Sequence, residues 1–320
     1  MGNLTKRLLL AAAAGLAIGL TAPTAFAQES YPDRPITMLV GYGAGGQTDL
    51  VARAASTVMS DELGVPINVV NKPGAGGAVA ARELMRAEPD GYTVLFQANS
   101  VVNSAPFVMD RITFTPDDFE YAGMITAYQT ALATQKDAPF DNLAEFVAWA
   151  KDNPGFRYGA LSPEARMYME EIAEVEGLDV NIVPLNSGSE MLNALLGRQV
   201  VLALSGGIHY RHPDELKSVA TLTSFRHQSA PDVETIDEQG YPLAMDSRAT
   251  LFLPKGTPRP ILETLNAALK AAETDETFGK VVAAADIPIM FFDVDATYDE
   301  MRRTYDRNKG IFESAGVEPR

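Results

Sequence analysis

A strand, a glycine-rich turn and a helix are predicted in direct succession by residues 36–53, which read ITMLVGYGAGGQTDLVAR. The apolar run at 36–40 predicts a buried strand, and the apolar face from Leu50 to Val58 predicts an amphipathic helix. Glycines occupy four of the six positions between them. The N–H groups at a helix start are free and lie at the positive end of its dipole, so such a turn can bind an anion without a charged side chain. We expect this turn to hold a carboxylate.

Two alternatives compete with an anion site at this turn. Glycines are needed wherever a strand turns sharply into a helix, whether or not a ligand binds there. The spacing of Gly41, Gly43 and Gly46 also fits the dinucleotide fingerprint G-x-G-x-x-G. That fingerprint requires an acidic residue at the end of the next strand, where this chain has Asn71 and Lys72. The dinucleotide interpretation therefore fails, and a purely structural turn remains the alternative.

The first 27 residues carry the features of an export signal. Lys6 and Arg7 precede an apolar stretch at 8–20, and Ala25-Phe26-Ala27 is a small-x-small cleavage site. We expect cleavage before Gln28. A retained anchor is the alternative, although the apolar stretch is shorter than the roughly 20 residues of a membrane span.

Composition excludes several classes of function. The chain has a formal charge of −16, and removal of the signal takes away two basic residues and no acid, which leaves −18. Such an acidic surface opposes nucleic acid and anionic membranes. It does not oppose a small anion inside a cleft lined by N–H dipoles. The absence of cysteine excludes disulfides and thiolate chemistry.

Strands and helices alternate in the first part of the mature chain. A strand at 67–70 leads into a second glycine-rich turn, NKPGAGG at 71–77, which is followed by a helix at 78–87 and a strand at 93–98. Alternation predicts a parallel sheet with helices on both faces and a ligand crevice beyond the carboxyl ends of the strands. The two glycine-rich turns and the polar loop at Asn99 and Ser100 should therefore converge.

A set of motifs follows in a fixed order along the chain: YPDRPITMLVGYGAGGQTDLVAR, VVNKPGAGGAVAARELMRAEPDGYTVLF, FEYAGMI, EQGYP at 238–242 and LPKGTP at 253–258. This ordered set closely resembles the solute receptors of tripartite tricarboxylate transporters, which are also called Bug receptors. The resemblance extends over essentially the whole mature chain.

The resemblance implies a two-lobed α/β periplasmic binding protein of type II-like architecture. Each lobe is expected to hold a mostly parallel sheet flanked by helices, and two crossover strands join the lobes. We place the first lobe at residues 28–128 and 249–320 and the second at 129–248. Receptors of this family grip one carboxylate of a small organic acid through backbone N–H groups and waters, and deliver it to integral membrane permease subunits. We expect a periplasmic monomer with no cofactor, no metal and no nucleic-acid partner.

Site residues are predicted from both lobes, and several rest on the resemblance. The first lobe is expected to contribute Tyr42, Ala44, Gly45, Gly46, Thr48, Gly76, Gly77 and Ser100. The second lobe is expected to contribute Ser162, Arg166, Ser187 and Ser205. Asp49 begins the first helix, where its carboxylate can accept backbone N–H bonds and support the loop.

The chain departs from the family pattern mainly in the lobe that selects the ligand. Its first turn also departs from the family's Pro-Phe-x-Pro-Gly-Gly, because Gly41 and Ala44 replace the two prolines and Tyr42 replaces the phenylalanine. Arg166 and Arg248 are candidates for holding a second carboxylate in a bidentate pair. A dicarboxylate is therefore the leading ligand class, followed by an aromatic or amido acid.

Two other functions are considered. ALSGG at 203–207 mimics the nucleophile elbow of α/β hydrolases, with Ser205 as the nucleophile. The three histidines, His209, His212 and His227, do not follow an acid in the order that a hydrolase requires, and their spacing fits no tetrahedral metal site. A secreted sensor that reports ligand binding to a signalling partner would use the same lobe closure, so the sequence does not separate it from a transport receptor.

Overall fold

The computed structural model describes residues 31–320, apart from positions 228, 315, 317 and 320. The predicted export signal at residues 1–27 lies outside the described residues. The described strands are, in chain order, β1 (Ile36–Val40), β2 (Ile67–Asn71), β3 (Thr93–Ala98), β4 (Phe119–Ala127), β5 (Ala131–Gln135), β6 (Phe156–Ala160), β7 (Val180–Pro184), β8 (Leu202–Ser205), β9 (Leu216–Thr221), β10 (Arg248–Pro254) and β11 (Ile289–Phe292).

The helices flank these strands. They are α1 (Gln47–Leu63), α2 (Ala78–Leu84), α3 (Ser100–Asn103), α4 (Ala105–Val108), α5 (Leu143–Asp152), α6 (Pro163–Glu176), α7 (Gly188–Leu196), α8 (Arg259–Ala271), α9 (Glu276–Ala283) and α10 (Val294–Ser314). Short 3₁₀ turns occur at Ala75–Gly77, Pro116–Asp118 and Ile208–Arg211. No helix of the described part of the chain combines the length and apolar character needed to span a bilayer.

Two sheets form the two lobes. The first has the strand order β11-β4-β10-β3-β1-β2, and the second has the order β7-β6-β8-β5-β9. The two-lobed α/β fold expected from the sequence is confirmed. Each sheet has a parallel half, in which β1 pairs with β2 and β3, and β6 pairs with β7 and β8. Each also has an antiparallel half, because β10 and β5 run against both of their neighbours, so the sheets are mixed rather than mostly parallel.

Two chain segments cross side by side between the sheets. The first leaves β4 and enters β5 through residues 128–130, and the second returns to β10 through residues 245–247. Tyr128 N donates to Ser247 O at 2.8 Å, and Met245 N donates to Leu222 O at 2.9 Å. The first of these bonds pairs the two crossings directly, and the second joins the returning crossing to the residue after β9. Hinges between domains are commonly formed by a few such residues at the ends of elements.

Each lobe has its own apolar core. In the first lobe, buried residues of β1, β3, β4 and β10 pack against α2 and α10. In the second lobe, the core includes the rings of Phe140, Phe146 and Phe156, and Trp149 packs against them. Phe312 of α10 packs into this second core, so the last helix contacts both lobes.

Candidate ligand-binding cleft

Asp49, in the first turn of α1, holds the first glycine-rich turn. Its Oδ2 accepts hydrogen bonds from Gly45 N at 2.9 Å and Arg53 Nε at 3.0 Å, and its Oδ1 accepts one from Asn71 Nδ2 at 2.9 Å. Burial alone would raise the pKa of the Asp49 carboxyl, but these donors outweigh burial and lower the pKa below its ordinary value. Asp49 is therefore ionised, and the Gly45 N–H donates to it rather than to a ligand.

Gln97, a fully buried amide near the end of β3, joins the two glycine-rich turns. Its Oε1 accepts from Gly41 N at 3.1 Å, and its Nε2 donates to Gly76 O at 3.2 Å. A Cβ placed on Gly41 would lie 2.5 Å from Gly77 Cα, so the two backbones are in direct contact. Gly77 adopts a φ of 100°, which favours glycine. These contacts make the two turns one unit.

Three helices begin around the same space between the lobes. Gly46 precedes α1, Ser162 precedes α6 and Ser187 precedes α7. The two serines cap their helices, because Ser162 Oγ accepts from Ala165 N and Ser187 Oγ accepts from Glu190 N. Gly46 has no side chain with which to cap α1. The helix dipoles therefore give this space a positive potential.

An inner cavity of about 60 Å³ lies among these helix starts. Five of the predicted site residues line it, namely Tyr42, Gly46, Thr48, Ser100 and Ser162. Gln47 and Thr130 also line it and are only 6% and 9% exposed. Neither the Gln47 side-chain amide nor the Thr130 hydroxyl has a hydrogen-bond partner in the described part of the chain. Because burying an unpaired polar group costs about 1–3 kcal/mol, these atoms are suited to meet a polar ligand.

Glu164, in the first turn of α6, also lines the inner cavity. Its carboxyl is almost fully buried, and Ser100 donates a hydrogen bond to it from the first lobe. Burial raises the pKa of Glu164 to about 7, since the Ser100 hydroxyl offsets only part of the desolvation. Burial, and next the negative Glu164, also raise the pKa of the Tyr42 hydroxyl, which is therefore neutral.

The lobes touch each other around the inner cavity. Gly43 N donates to Asn186 O at 3.2 Å, and Ser189 Oγ donates to Ala44 O at 3.4 Å. At the crossing segment, Tyr128 Oη donates to Thr48 Oγ1 of the first lobe at 3.0 Å. A Cβ on Gly46 would lie 3.1 Å from Gly188 N, so α1 and α7 meet backbone to backbone. This close approach is possible because both positions are glycine.

An outer groove of about 600 Å³ continues from the inner cavity. Leu161 and Ser162 line both spaces, and Gly76 and Arg166 line the groove alone. Arg166 is 59% exposed, and its Nε is paired with Glu170 Oε1 at 2.8 Å. The structure therefore places the predicted carboxylate-binding arginine at the entrance to the cleft and outside the inner cavity.

Several predicted contacts lie outside the inner cavity, and their polar groups have partners within the protein. The Ala44 carbonyl accepts from Ser189 Oγ, the Gly45 N–H donates to Asp49, and the Ser187 hydroxyl caps α7. Gly77 packs on Gly41, as described above. Lys72, a possible source of positive charge, pairs with Glu83 at 3.3 Å.

Ser205 lies behind the cavity rather than in it, which corrects its expected role as a ligand contact and counts against the hydrolase alternative. It is fully buried, and its Oγ lies 2.8 Å from His209 Nδ1, whose Nε2 lies 2.7 Å from Ser218 Oγ. The neighbours Leu204 and Gly206 line the cavity, because side chains alternate at the end of a strand. Burial lowers the pKa of His209 to about 3, and among the described residues its ring nitrogens meet the Ser205 and Ser218 hydroxyls rather than a carboxylate. The Ser205–His209 pair is thus unlike the oriented and accessible pair of a hydrolase.

The Arg248 side chain is also paired within the protein. Its Nε is 2.9 Å from Glu300 Oε1, both side chains are less than a tenth exposed, and its guanidinium lies over the Phe292 ring. This ion pair joins the hinge-proximal strand β10 to α10. Arg248 therefore does not offer a free fork to a ligand carboxylate.

Sequence reasoning missed Gln47, Gln97 and Glu164. Gln97 had a signal, since it is polar within the otherwise apolar run TVLFQA of β3. Glu164 had none, because acidic residues are common in the first turn of any helix. In the described part of the chain, no cluster of three or more histidine or carboxylate residues is arranged to hold a metal ion.

Comparisons with a family model, with known sequences and with solved structures agree with one another. The family model of the tripartite tricarboxylate transporter family receptor matches residues 51–317. The "UPF0065 protein in gbd 5'region" of Cupriavidus necator is 33% identical over 313 residues, which cover 96% of this chain and 95% of the relative.

Solved structures show the same architecture. The periplasmic binding protein BugD aligns with a TM-score of 0.81 and 27% identity, covering 91% of this chain and all of that chain. A structure described as a periplasmic transporter aligns with a TM-score of 0.79 and 26% identity, covering 90% of this chain and 99% of that chain.

Proposed function

Because the chain belongs to the receptor family of tripartite tricarboxylate transporters, the Bug receptors, we propose that it captures a small carboxylate between its lobes and delivers it to the transporter's membrane permease. In this proposal the protein is exported by its signal at residues 1–27 and acts in the periplasm as a monomer. The family is one of substrate-binding receptors rather than enzymes.

The observation that carries the proposal is the inner cavity itself. The starts of α1, α6 and α7 meet there, and helix starts favour anions. The unpaired amide of Gln47 and hydroxyl of Thr130 supply further polar contacts. A carboxylate at the uncapped start of α1 would accept N–H hydrogen bonds in a place where no protein side chain caps the helix.

Capture would follow from bending at the paired crossing segments. With the lobes apart, the first-lobe turns are exposed, and a carboxylate docks at the start of α1. Closure then brings Ser162 and Gly188 over the ligand, while Gly43 bonds Asn186 across the interface. The closed shape is what the permease would recognise, and a signalling partner could read the same shape.

A thermal-shift screen over small organic acids tests this function. A ligand that binds only the folded protein adds about 2.7 kcal/mol of stability at a hundredfold excess over its Kd, which raises Tm by roughly 5 °C in a protein of this size. We expect at least one carboxylate to give such a shift and neutral sugars to give none. A sugar that raises Tm while every acid leaves it unchanged would refute the proposal.

A further inference from the structure

Glu164 is the only charged side chain among the described residues that line the inner cavity. The other lining residues include hydroxyls, one amide and apolar groups, but no lysine, arginine or histidine. Glu164 is 9% exposed, and its hydrogen bond comes from the neutral Ser100. A buried carboxylate is stable only when it is paired with a positive group or protonated.

Among the described residues, the other titratable groups near Glu164 are tyrosines, and none of them supplies positive charge. Tyr128 Oη donates to Thr48, Tyr158 Oη to Ala165 O and Tyr168 Oη to Leu243 O, so these hydroxyls are committed. Tyr42 approaches from the first glycine-rich turn and is neutral. The nearest arginine on the same helix, Arg166, faces the outer groove and is paired with Glu170.

A purely anionic ligand would therefore bring a second negative charge into a space that already holds one. The helix starts can offset one carboxylate, but no described side chain that lines the cavity offsets the other. A ligand that carries its own positive group removes this conflict, because each of its two ends then meets an opposite charge.

We propose that the ligand carries a protonated amine as well as a carboxylate, and that Glu164 pairs with the amine and so determines specificity. This inference rests on the proposed function and narrows its ligand class to small zwitterionic acids. Glu164 would take one end of the ligand from the second lobe, while the start of α1 takes the carboxylate from the first.

A different arrangement predicts the opposite behaviour. If Glu164 stayed protonated in the complex, it would donate its proton to a second ligand carboxylate, and dicarboxylates without an amine would be preferred. The two arrangements differ in ligand choice, in the effect of Glu164→Gln and in the direction of the pH dependence.

Calorimetric titration and thermal shift with matched ligand pairs test the inference. The probes are propionate against L-alanine and β-alanine, and succinate against L-aspartate, with wild type, Glu164→Gln and the control Glu174→Gln. Glu174 lies on the same helix, and its side chain is exposed. We expect the best amine-bearing acid to bind wild type at least tenfold more tightly than its amine-free partner, and Glu164→Gln to lose about ten- to hundredfold of that affinity. Glu174→Gln should behave as wild type.

The pH dependence provides a second readout that does not depend on a variant. Because the pKa of the free Glu164 carboxyl is about 7, its ionised fraction rises between pH 6 and pH 8, so the affinity for the amine-bearing acid should rise about tenfold. In Glu164→Gln this rise should disappear.

The outcomes separate this inference from the proposed function. Two results would overturn the role of Glu164 and leave a carboxylate receptor intact. One is tighter binding of the amine-free acids by wild type. The other is an affinity for the amine-free acids that falls from pH 6 to pH 8 in wild type and is retained when Glu164 is replaced by Gln. If no carboxylate raises Tm, with or without an amine, the proposed function fails and this inference fails with it.

Discussion

Asp49 shows how much of a binding turn can depend on one side chain that does not line the cavity. Its carboxylate gathers donors from the turn, from β2 and from its own helix, through Gly45, Asn71 and Arg53. Asn71 in turn donates to Tyr42 O at 2.9 Å. The turn keeps its shape because these donors meet at a single buried charge.

The variant Asp49→Asn should destabilise the protein at pH 7 by about 1–3 kcal/mol, since the amide leaves buried donors without an acceptor. The folded pKa of Asp49 lies below its ordinary value, so the stabilisation is present above that value and is lost as the pH falls through the folded pKa. Urea unfolding of wild type and variant should therefore differ at pH 7, and the difference should shrink only once the pH falls below the ordinary pKa of aspartate, about 3.9.

The control for this prediction is Asp61→Asn, at an exposed position later in the same helix. It should not change the midpoint of unfolding. Equal stability of Asp49→Asn and wild type at pH 7 would mean that the carboxylate is not what holds the turn.

Helix starts are the elements from which the cleft is built, and they differ in how well a sequence reveals them. The segment from β1 to α1 could be predicted, because an apolar run, clustered glycines and a helical period are all local patterns. The start of α7 carries a local signal as well, since Ser187 is a common capping residue. Local patterns, however, do not tell which helix starts meet in space.

Ser205 was wrongly predicted to contact the ligand, and Glu164 was not predicted at all, because local patterns do not show how the lobes pack. The sequence ALSGG fits a nucleophile elbow, but whether Ser205 faces the cleft depends on the face of β8 that the second lobe turns inward. Glu164 would be an ordinary solvated residue of a helix start if the first lobe did not cover it. Both facts depend on lobe packing, which no local pattern contains.

The variant Gly46→Ser tests the contact between the starts of α1 and α7. Serine is a favourable capping residue, so folding should be unaffected or slightly stabilised. Its Cβ would press on Gly188 N, and its hydroxyl would compete for the N–H groups at the start of α1, so affinity for the best acid of the screen should fall at least tenfold. Calorimetric titration measures the affinity, and thermal unfolding measures the stability.

The matched control is Gly279→Ser in α9, where an added Cβ meets no neighbouring atom within 4 Å. This variant should bind as wild type does. Unchanged affinity in Gly46→Ser would show that ligand binding does not require α1 and α7 to approach each other.

At the scale of the whole molecule, the buried Arg248–Glu300 pair connects the returning crossing segment to the last helix. Arg248 also packs on Met290 and Phe292 of β11, at the edge of the first sheet. Glu300 is bonded a second time by Arg303, whose side chain is 54% exposed. The pair joins the start of β10, where the second crossing ends, to α10.

The variant Arg248→Met should destabilise the protein strongly without changing ligand preference. Removing one partner of a buried ion pair costs roughly 3–5 kcal/mol, and the lower end is expected here because Glu300 keeps Arg303. Chemical unfolding measures the loss. The control Arg302→Met removes an exposed pair with Asp117 and should change stability by less than about 1 kcal/mol. Intact stability with lost affinity would instead assign Arg248 to the ligand.

The lobe-to-lobe bonds from Gly43 to Asn186 and from Ser189 to Ala44 join protein groups directly and require no ligand between them. Every such bond lowers the energy of an empty molecule in the same shape as a loaded one. In the proposed transport cycle, an unloaded copy in that shape would compete for the permease, so transport would slow when receptors outnumber their cargo. The strength of these few bonds therefore determines how often an empty receptor adopts the closed shape.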